Sequence, residues 1–233
     1  MSSKKRPEVK KNSLTPIIIG SVIAIVIIFF AALFILQPSA EKNFFGGEIS
    51  VKGDMLPNLS VNFNRDCVFF ENFNYCQQLE PAANFDAPII LGTDINGNQI
   101  STDSEEPKIL LFLAHWCSHC QQEVKTIQKW INENGNPDPI KIYSILTSIN
   151  SNQPNFPPDK WLESENWSSP TFVDNDQDGV AKHFGIRGFP FWVIVDHHGK
   201  IITRLSGSYT AEEFQIILAN TLQHDKNEYS DHH

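Results

Sequence analysis

The chain has 233 residues, a formal net charge of −9 and four cysteines. Its length suits one domain with attachments, and 41% hydrophobic against 19% charged residues excludes a disordered or fibrous protein. Four cysteines are too few for a disulfide-stapled mini-protein, and the acidic balance argues against nucleic acid as a partner, because phosphate binding needs a basic face.

The charge is divided unevenly along the chain. Residues 1–40 carry five cationic side chains and one glutamate, a balance of +4, so the remainder carries −13. Residues 1–16 form a basic tail, and residues 17–36 are twenty uncharged, mostly apolar residues. A helix of that length spans about 30 Å, the thickness of a bilayer core. We therefore predict one transmembrane helix at 17–36, with the N-terminus in the cytoplasm because the cationic residues precede it.

The alternative for this segment is a cleaved signal peptide. Such a peptide has a shorter apolar region and a small-residue cleavage site, which the following Gln-Pro-Ser-Ala matches poorly. Either interpretation places the rest of the chain outside the cytoplasmic membrane, where disulfides form. Residues 37–50 are predicted to be a linker, and residues 51–86 an irregular extension that contains Cys67 and Cys76.

Regular patterning begins at residue 87. Asn96-Gly97 between apolar residues predicts a β-hairpin over 88–100. The elements predicted after it are strands at 108–114, 140–146, 171–173, 191–195 and 201–205, helices at 118–134, 159–164 and 180–184, and a final helix capped by Thr210. Alternating strands and helices indicate an α/β domain, over 87–224, with a mixed sheet between helices and a polar tail at 225–233.

Residues 116–120 read Trp-Cys-Ser-His-Cys, directly after a buried strand and at the start of the first long helix. Two cysteines in the first turn of a helix can close a disulfide with each other. Cys117 lies at the helix N-terminus, where unpaired N–H groups and the macrodipole favour a thiolate. We expect His119 to stabilise that thiolate and Cys120, one turn into the helix and more buried, to resolve a mixed disulfide.

The same cysteine pair could instead be half of a zinc site. Zinc needs two further ligands at suitable spacing, and Cys67 and Cys76 are separated by eight residues rather than two. Redox chemistry is therefore favoured. The redox-active disulfide carries that chemistry by itself, so neither an organic cofactor nor a metal is expected.

The stretch 108–120 and the later Gly188-Phe189-Pro190 resemble the thioredoxin superfamily, in particular the membrane-anchored TlpA/ResA-like thiol–disulfide oxidoreductases. The resemblance covers about residues 87–222 and implies a thioredoxin-like α/β fold. It also implies a cis peptide bond before Pro190, facing the active-site sulfurs. The backbone of Phe189 would then pair with an extended segment of the substrate.

The sequence departs from the family at several positions. The strand at 108–114 lacks the buried acid that thioredoxin has there, so proton transfer at Cys120 needs another group. Glu123 stands where TlpA-like proteins often have a glutamate, although a helical glutamate is commonly a solvated surface residue. Trp116 is expected to tune the site. A histidine before the second cysteine resembles oxidising members and leaves the direction of exchange open.

Together these features predict a membrane-anchored, extracytoplasmic enzyme that exchanges disulfides with exported proteins. A redox partner in the membrane is also expected, because one transmembrane helix cannot deliver electrons by itself. The alternative is a non-catalytic, thioredoxin-like binding or assembly module. The second pair, Cys67 and Cys76, is predicted to form a structural disulfide, with a second redox pair or free thiols as the alternatives.

Overall fold

The computed structural model describes residues 48–59, 79–174 and 179–231. The predicted basic tail and membrane helix, together with Cys67 and Cys76, lie outside these described residues. Within them, none of the helices combines the length and the apolar character needed to cross a membrane.

Within the described ranges the chain forms eight strands and four helices. The strands are β1 Ile49–Lys52, β2 Ile89–Thr93, β3 Gln99–Ser101, β4 Lys108–Leu113, β5 Lys141–Leu146, β6 Thr171–Val173, β7 Phe191–Val195 and β8 Ile201–Ser206. The helices are α1 Ser118–Asn134, α2 Pro158–Ser164, α3 Gly179–His183 and α4 Ala211–Asp231. The strands and helices predicted between 108 and 206 are all present, with ends that differ by at most one residue.

The central sheet has the strand order β6-β5-β4-β7-β8. Strands β4, β5 and β6 are parallel, whereas β7 runs antiparallel to β4 and β8 antiparallel to β7. Parallel neighbours need crossover connections, which α1 and α2 supply. The predicted mixed sheet with flanking helices is confirmed.

Strand β4 lies in the middle of this sheet and is buried along its whole length. Ile109, Leu111 and Leu113 pack on one face, in the core that also contains the apolar sides of α1 and α4. Leu110 and Phe112 pack on the opposite face, with α3 and part of the N-terminal extension. Because side chains alternate along a strand, a continuous apolar run is what a strand buried on both faces requires. This burial holds the end of β4, and therefore the start of the cysteine motif, in place.

A second, three-stranded antiparallel sheet has the order β1-β2-β3. Strands β2 and β3 form the predicted hairpin, and Gly97 in its turn has a φ of +88°, which favours glycine. Strand β1 was not predicted; it pairs with β2. Its four residues alternate between half-buried and exposed positions, so their pattern is too short and too weak to stand out in the sequence.

The residues just before the domain are attached to β8 by a buried ion pair. The Arg204 Nη2 lies 2.6 Å from the Glu80 Oε1, and both side chains have no exposed surface. The backbone N–H of Arg204 also donates to Glu80, and its Nη1 donates to the carbonyl oxygen of Phe184 at 2.8 Å. Buried charges are tolerated when they are paired and hydrogen-bonded in this way.

Helix α4 begins with the predicted cap. The Thr210 Oγ1 accepts the N–H of Glu213 at 3.2 Å, and the Thr210 N–H donates to the Glu213 carboxylate at 2.7 Å, which is a capping box. The helix continues to Asp231 and so extends into the stretch predicted as a polar tail.

Candidate active site

The cysteine motif lies where β4 passes into α1. Cys117 is the N-cap residue of α1, with extended backbone angles (φ −79°, ψ 117°), and its carbonyl oxygen accepts the first helical hydrogen bond from Gln121 at 3.1 Å. Cys117 is partly exposed, whereas Cys120 is completely buried. The two sulfurs therefore differ as predicted: a protein substrate can reach only the first of them directly.

The environment of Cys120 keeps its sulfur protonated. Burial raises the pKa of the Cys120 thiol well above its ordinary value of 9.0, and the neighbouring Cys117 and the charge of Glu123 act in the same direction. The backbone N–H of Ala114, which donates to the Cys120 Sγ at 3.4 Å, partly offsets this effect. At neutral pH Cys120 therefore needs a proton acceptor before it can act as a nucleophile.

This raised pKa makes the stability of the reduced protein depend on alkaline pH. The unfolded chain loses the Cys120 proton near pH 9.0, while the folded chain keeps it. The contribution of Cys120 to the free energy of unfolding is therefore complete below pH 9.0 and declines above it, by about 1.4 kcal/mol per pH unit. Urea unfolding of reduced wild-type protein and of Cys120→Ala should show the stability difference narrowing above pH 9. A pH-independent difference would contradict the assignment.

A ridge formed by Phe189 and Pro190 faces the motif. The Phe189–Pro190 peptide bond is cis, as the resemblance implies. The Cys117 Sγ lies 3.7 Å from the carbonyl oxygen of Phe189. The Trp116 ring meets the Phe189 ring edge-on, with the centroids 6.3 Å apart, and its Nε1–H donates to the carbonyl oxygen of Ser148 at 2.8 Å. The structure thus brings Trp116, Cys117, Phe189 and Pro190 together.

Glu123 projects into the protein rather than into solvent. It is completely buried, and its Oε2 accepts the backbone N–H of Tyr209 at 2.9 Å. The alternative of a solvated helical glutamate is therefore wrong. His119, by contrast, is exposed; its carbonyl oxygen accepts the Ser208 hydroxyl at 3.0 Å.

The loop between β8 and α4 contributes to the site, although no motif in the sequence marks it. Besides the contacts to His119 and Glu123, the N–H of Gly207 donates to the carbonyl oxygen of Pro190 at 2.9 Å. One loop thus holds the cysteine motif, the buried carboxylate and the proline ridge. Most of these contacts use backbone groups, which any residue possesses, so residue identity could not reveal them.

Comparisons with known proteins agree with this geometry. Residues 99–222 match the family described as Thioredoxin-like domain. The thiol-disulfide oxidoreductase ResA of Halalkalibacterium halodurans is 24% identical over 156 residues, which cover 64% of this chain and 84% of the relative. The solution structure of a candidate protein disulfide isomerase from Bacteroides thetaiotaomicron has a TM-score of 0.53 and 22% identity, covering 65% of this chain and 95% of that chain. A candidate thioredoxin from Neisseria meningitidis has a TM-score of 0.52 and 19% identity, covering 63% and 95%.

The family match spans more than half of the chain, and the two solved structures share its fold. The thioredoxin-like fold is therefore confirmed. The resemblance to TlpA/ResA-like proteins and the assignment as a thiol–disulfide oxidoreductase are confirmed as well. The chain belongs to the thioredoxin-like domain family.

Proposed function

We propose that the chain is a membrane-anchored thiol–disulfide oxidoreductase that exchanges disulfides with exported proteins through Cys117 and Cys120. One observation carries this proposal. A partly exposed Cys117, whose sulfur lies beside the Phe189 carbonyl oxygen, is paired in the motif with a buried Cys120. The apolar segment at 17–36, preceded by a basic tail, supports the anchor and the extracytoplasmic position of the domain.

Exchange proceeds in two balanced steps. The Cys117 thiolate attacks a substrate disulfide, so that a bond forms between the Cys117 Sγ and one substrate sulfur while the other sulfur leaves as a thiolate. Cys120, after losing its proton, then attacks the Cys117 Sγ and releases the second substrate sulfur. The substrate gains two electrons, and the Cys117–Cys120 pair becomes a disulfide. Oxidation of a substrate dithiol is the same sequence in reverse.

Glu123 is the group that we assign to proton transfer at Cys120. The described β4 contains no acidic residue, and the buried charge of Glu123 is close enough to Cys120 to raise the pKa of its thiol. The hydrogen bond from Tyr209 holds one carboxylate oxygen in place. A carboxylate in this position can accept the Cys120 proton as the sulfur attacks.

Glu123→Gln is expected to slow the second step by about a hundredfold and to leave the attack by Cys117 unchanged, because positioned proton acceptors contribute about 10²–10⁴ in rate. Single-turnover kinetics with a disulfide-bonded peptide should show fast formation of the mixed disulfide followed by slow release. Glu133→Gln, at an exposed position on the same helix, is the matched control and should behave as wild type. Equal release rates in both variants would refute the role of Glu123.

The reduction potential of the Cys117–Cys120 pair tests the proposal and decides the direction of exchange. Equilibration with glutathione buffers, followed by mass measurement of the alkylated protein, gives this potential. A value below that of thioredoxin, about −270 mV, identifies a reductase supplied with electrons by a membrane partner. A value near that of DsbA, about −120 mV, identifies an oxidase. A pair that forms no disulfide in any buffer would contradict the proposal.

A further inference from the structure

A loop beside the active site, residues 148–157, is anchored by a buried histidine. His115 directly precedes Trp116 and has no exposed surface. Its ring Nδ1 lies 2.7 Å from the carbonyl oxygen of Pro154, and its Nε2 lies 3.1 Å from the backbone nitrogen of Asn150. A neutral imidazole has one donor and one acceptor, so Nδ1–H donates to Pro154 while Nε2 accepts from Asn150.

The backbone of His115 is attached to the same loop. Its carbonyl oxygen accepts the side-chain amides of Gln121 at 3.0 Å and of Asn155 at 3.2 Å. The loop residues themselves are mostly exposed, and Ser148 and Asn155 have positive φ angles of 51° and 62°. An exposed loop in this conformation needs external support. His115 supplies that support from the residue next to the Trp116-Cys117 pair.

A cavity of about 430 Å³ lies between Trp116 and this loop. The residues that line it are Trp116, Ser148, Ile149, Asn150, Ser151 and Gln153. None of these side chains is charged, and all of them except Ile149 can donate or accept hydrogen bonds. Such a lining offers both donors and acceptors to an uncharged polar group, whereas a charged group finds no opposite charge among these residues.

The cavity adjoins the path that a substrate follows. The Trp116 ring contacts Phe189 on one side, and its Nε1–H donates to Ser148 at the cavity wall. A segment that pairs with the Phe189 backbone, with its cysteine at Cys117, therefore has a neighbouring side chain within reach of the cavity. We propose that the cavity is a subsite for an uncharged polar side chain next to the substrate's cysteine, and that His115 positions its wall. This inference rests on the proposed function and adds the feature of the substrate that is recognised.

Peptide disulfides that differ only beside the cysteine test this subsite. Each peptide carries glutamine, leucine, lysine or glutamate at one of the two positions that flank its cysteine, and kcat/KM is measured for each peptide. Hydroxyethyl disulfide serves as a probe that is too small to reach the cavity. At one of these positions, wild-type protein should favour glutamine over leucine and over either charge by about three- to tenfold, the worth of one net hydrogen bond. Gln153→Glu should shift the preference to lysine, with an unchanged rate for hydroxyethyl disulfide.

Asn152→Glu is the matched control, because it adds the same charge to the same exposed loop without lining the cavity. It should keep the wild-type preference. His115→Leu should raise KM for the glutamine peptide and abolish the preference for glutamine. His115→Gln, which retains a donor and an acceptor, should restore part of that preference. If His115→Leu does not fold, the Gln153 comparison decides alone.

Two results would overturn the inference, and they are distinguishable. If wild type and Gln153→Glu react with both kinds of probe but treat all the peptides alike, the subsite is refuted and the exchange activity stands. If wild type reacts with neither the peptides nor hydroxyethyl disulfide, the proposed function fails and the subsite fails with it.

Discussion

Replacing Cys117 with serine is expected to lower the rate of disulfide exchange by at least about a thousandfold, because a hydroxyl is a far weaker nucleophile than a thiolate and the remaining groups of the site cannot replace it. Cys120 cannot substitute for it, since that sulfur is completely buried and its pKa is raised. The rate is measured as reduction of a disulfide-bonded peptide by the fully reduced protein.

The matched control for this experiment is Ser118→Ala, which changes an exposed side chain in the same helical turn and should keep the wild-type rate. A Cys117→Ser protein that still exchanges disulfides would refute the assignment of the nucleophile. If Cys117→Ser lost exchange but kept its full biological function, the binding-module alternative would be favoured.

Breaking the buried ion pair between Glu80 and Arg204 is expected to have the largest effect on stability. Glu80→Ala leaves the guanidinium of Arg204 in a site with no exposed surface and removes three of its hydrogen bonds, two from the side chain and one from the backbone N–H. Removing one partner of a buried pair costs about 3–5 kcal/mol, because an uncompensated charge remains buried. Denaturant unfolding should therefore show a correspondingly lower midpoint with little change in slope.

Two controls separate this effect from a general response to losing a glutamate. Glu163→Ala removes an exposed partner of Lys160 and should leave the free energy of unfolding unchanged within error, because exposed pairs are screened by water. The double variant Glu80→Leu with Arg204→Met replaces both charges by apolar side chains and should recover most of the loss. Equal midpoints for Glu80→Ala and Glu163→Ala would show that the pair does not stabilise the fold.

Local sequence patterns predicted the core of the fold because that fold uses regular elements with clear periodicity. The continuous apolar run at 108–114 is typical of a strand buried on both faces, and the Asn96-Gly97 turn marked the hairpin. The Trp-Cys-Ser-His-Cys motif located the chemistry, since its position between a strand and a helix is visible in the chain. Strand β1 has no such signal, and its pairing with β2 depends on a partner thirty-seven residues or more away.

The parts of the site that sequence could not predict depend on long-range contacts. Glu123 is buried in the fold and accepts a hydrogen bond from the loop before α4. The sequence pattern around a helical glutamate is the same whether its side chain is buried or solvated. The ring partners of His115 lie thirty-five residues or more further along the chain, so no local pattern in the sequence shows that this histidine holds a loop. From the sequence pattern alone, Arg204 would be taken for an exposed strand residue. Its burial depends on the ion pair with Glu80, which lies 124 residues earlier in the chain.

The central claim is that Cys117 forms the covalent link to the substrate and Cys120 resolves it. Full-length Cys120→Ser protein, mixed with a disulfide-bonded unfolded protein, should accumulate a covalent adduct that dithiothreitol releases. Peptide mapping by mass spectrometry should join Cys117 to a cysteine of the substrate, and the variant lacking both Cys117 and Cys120 should form no adduct. The absence of an adduct, or a link through Cys67 or Cys76 instead, would contradict the mechanism.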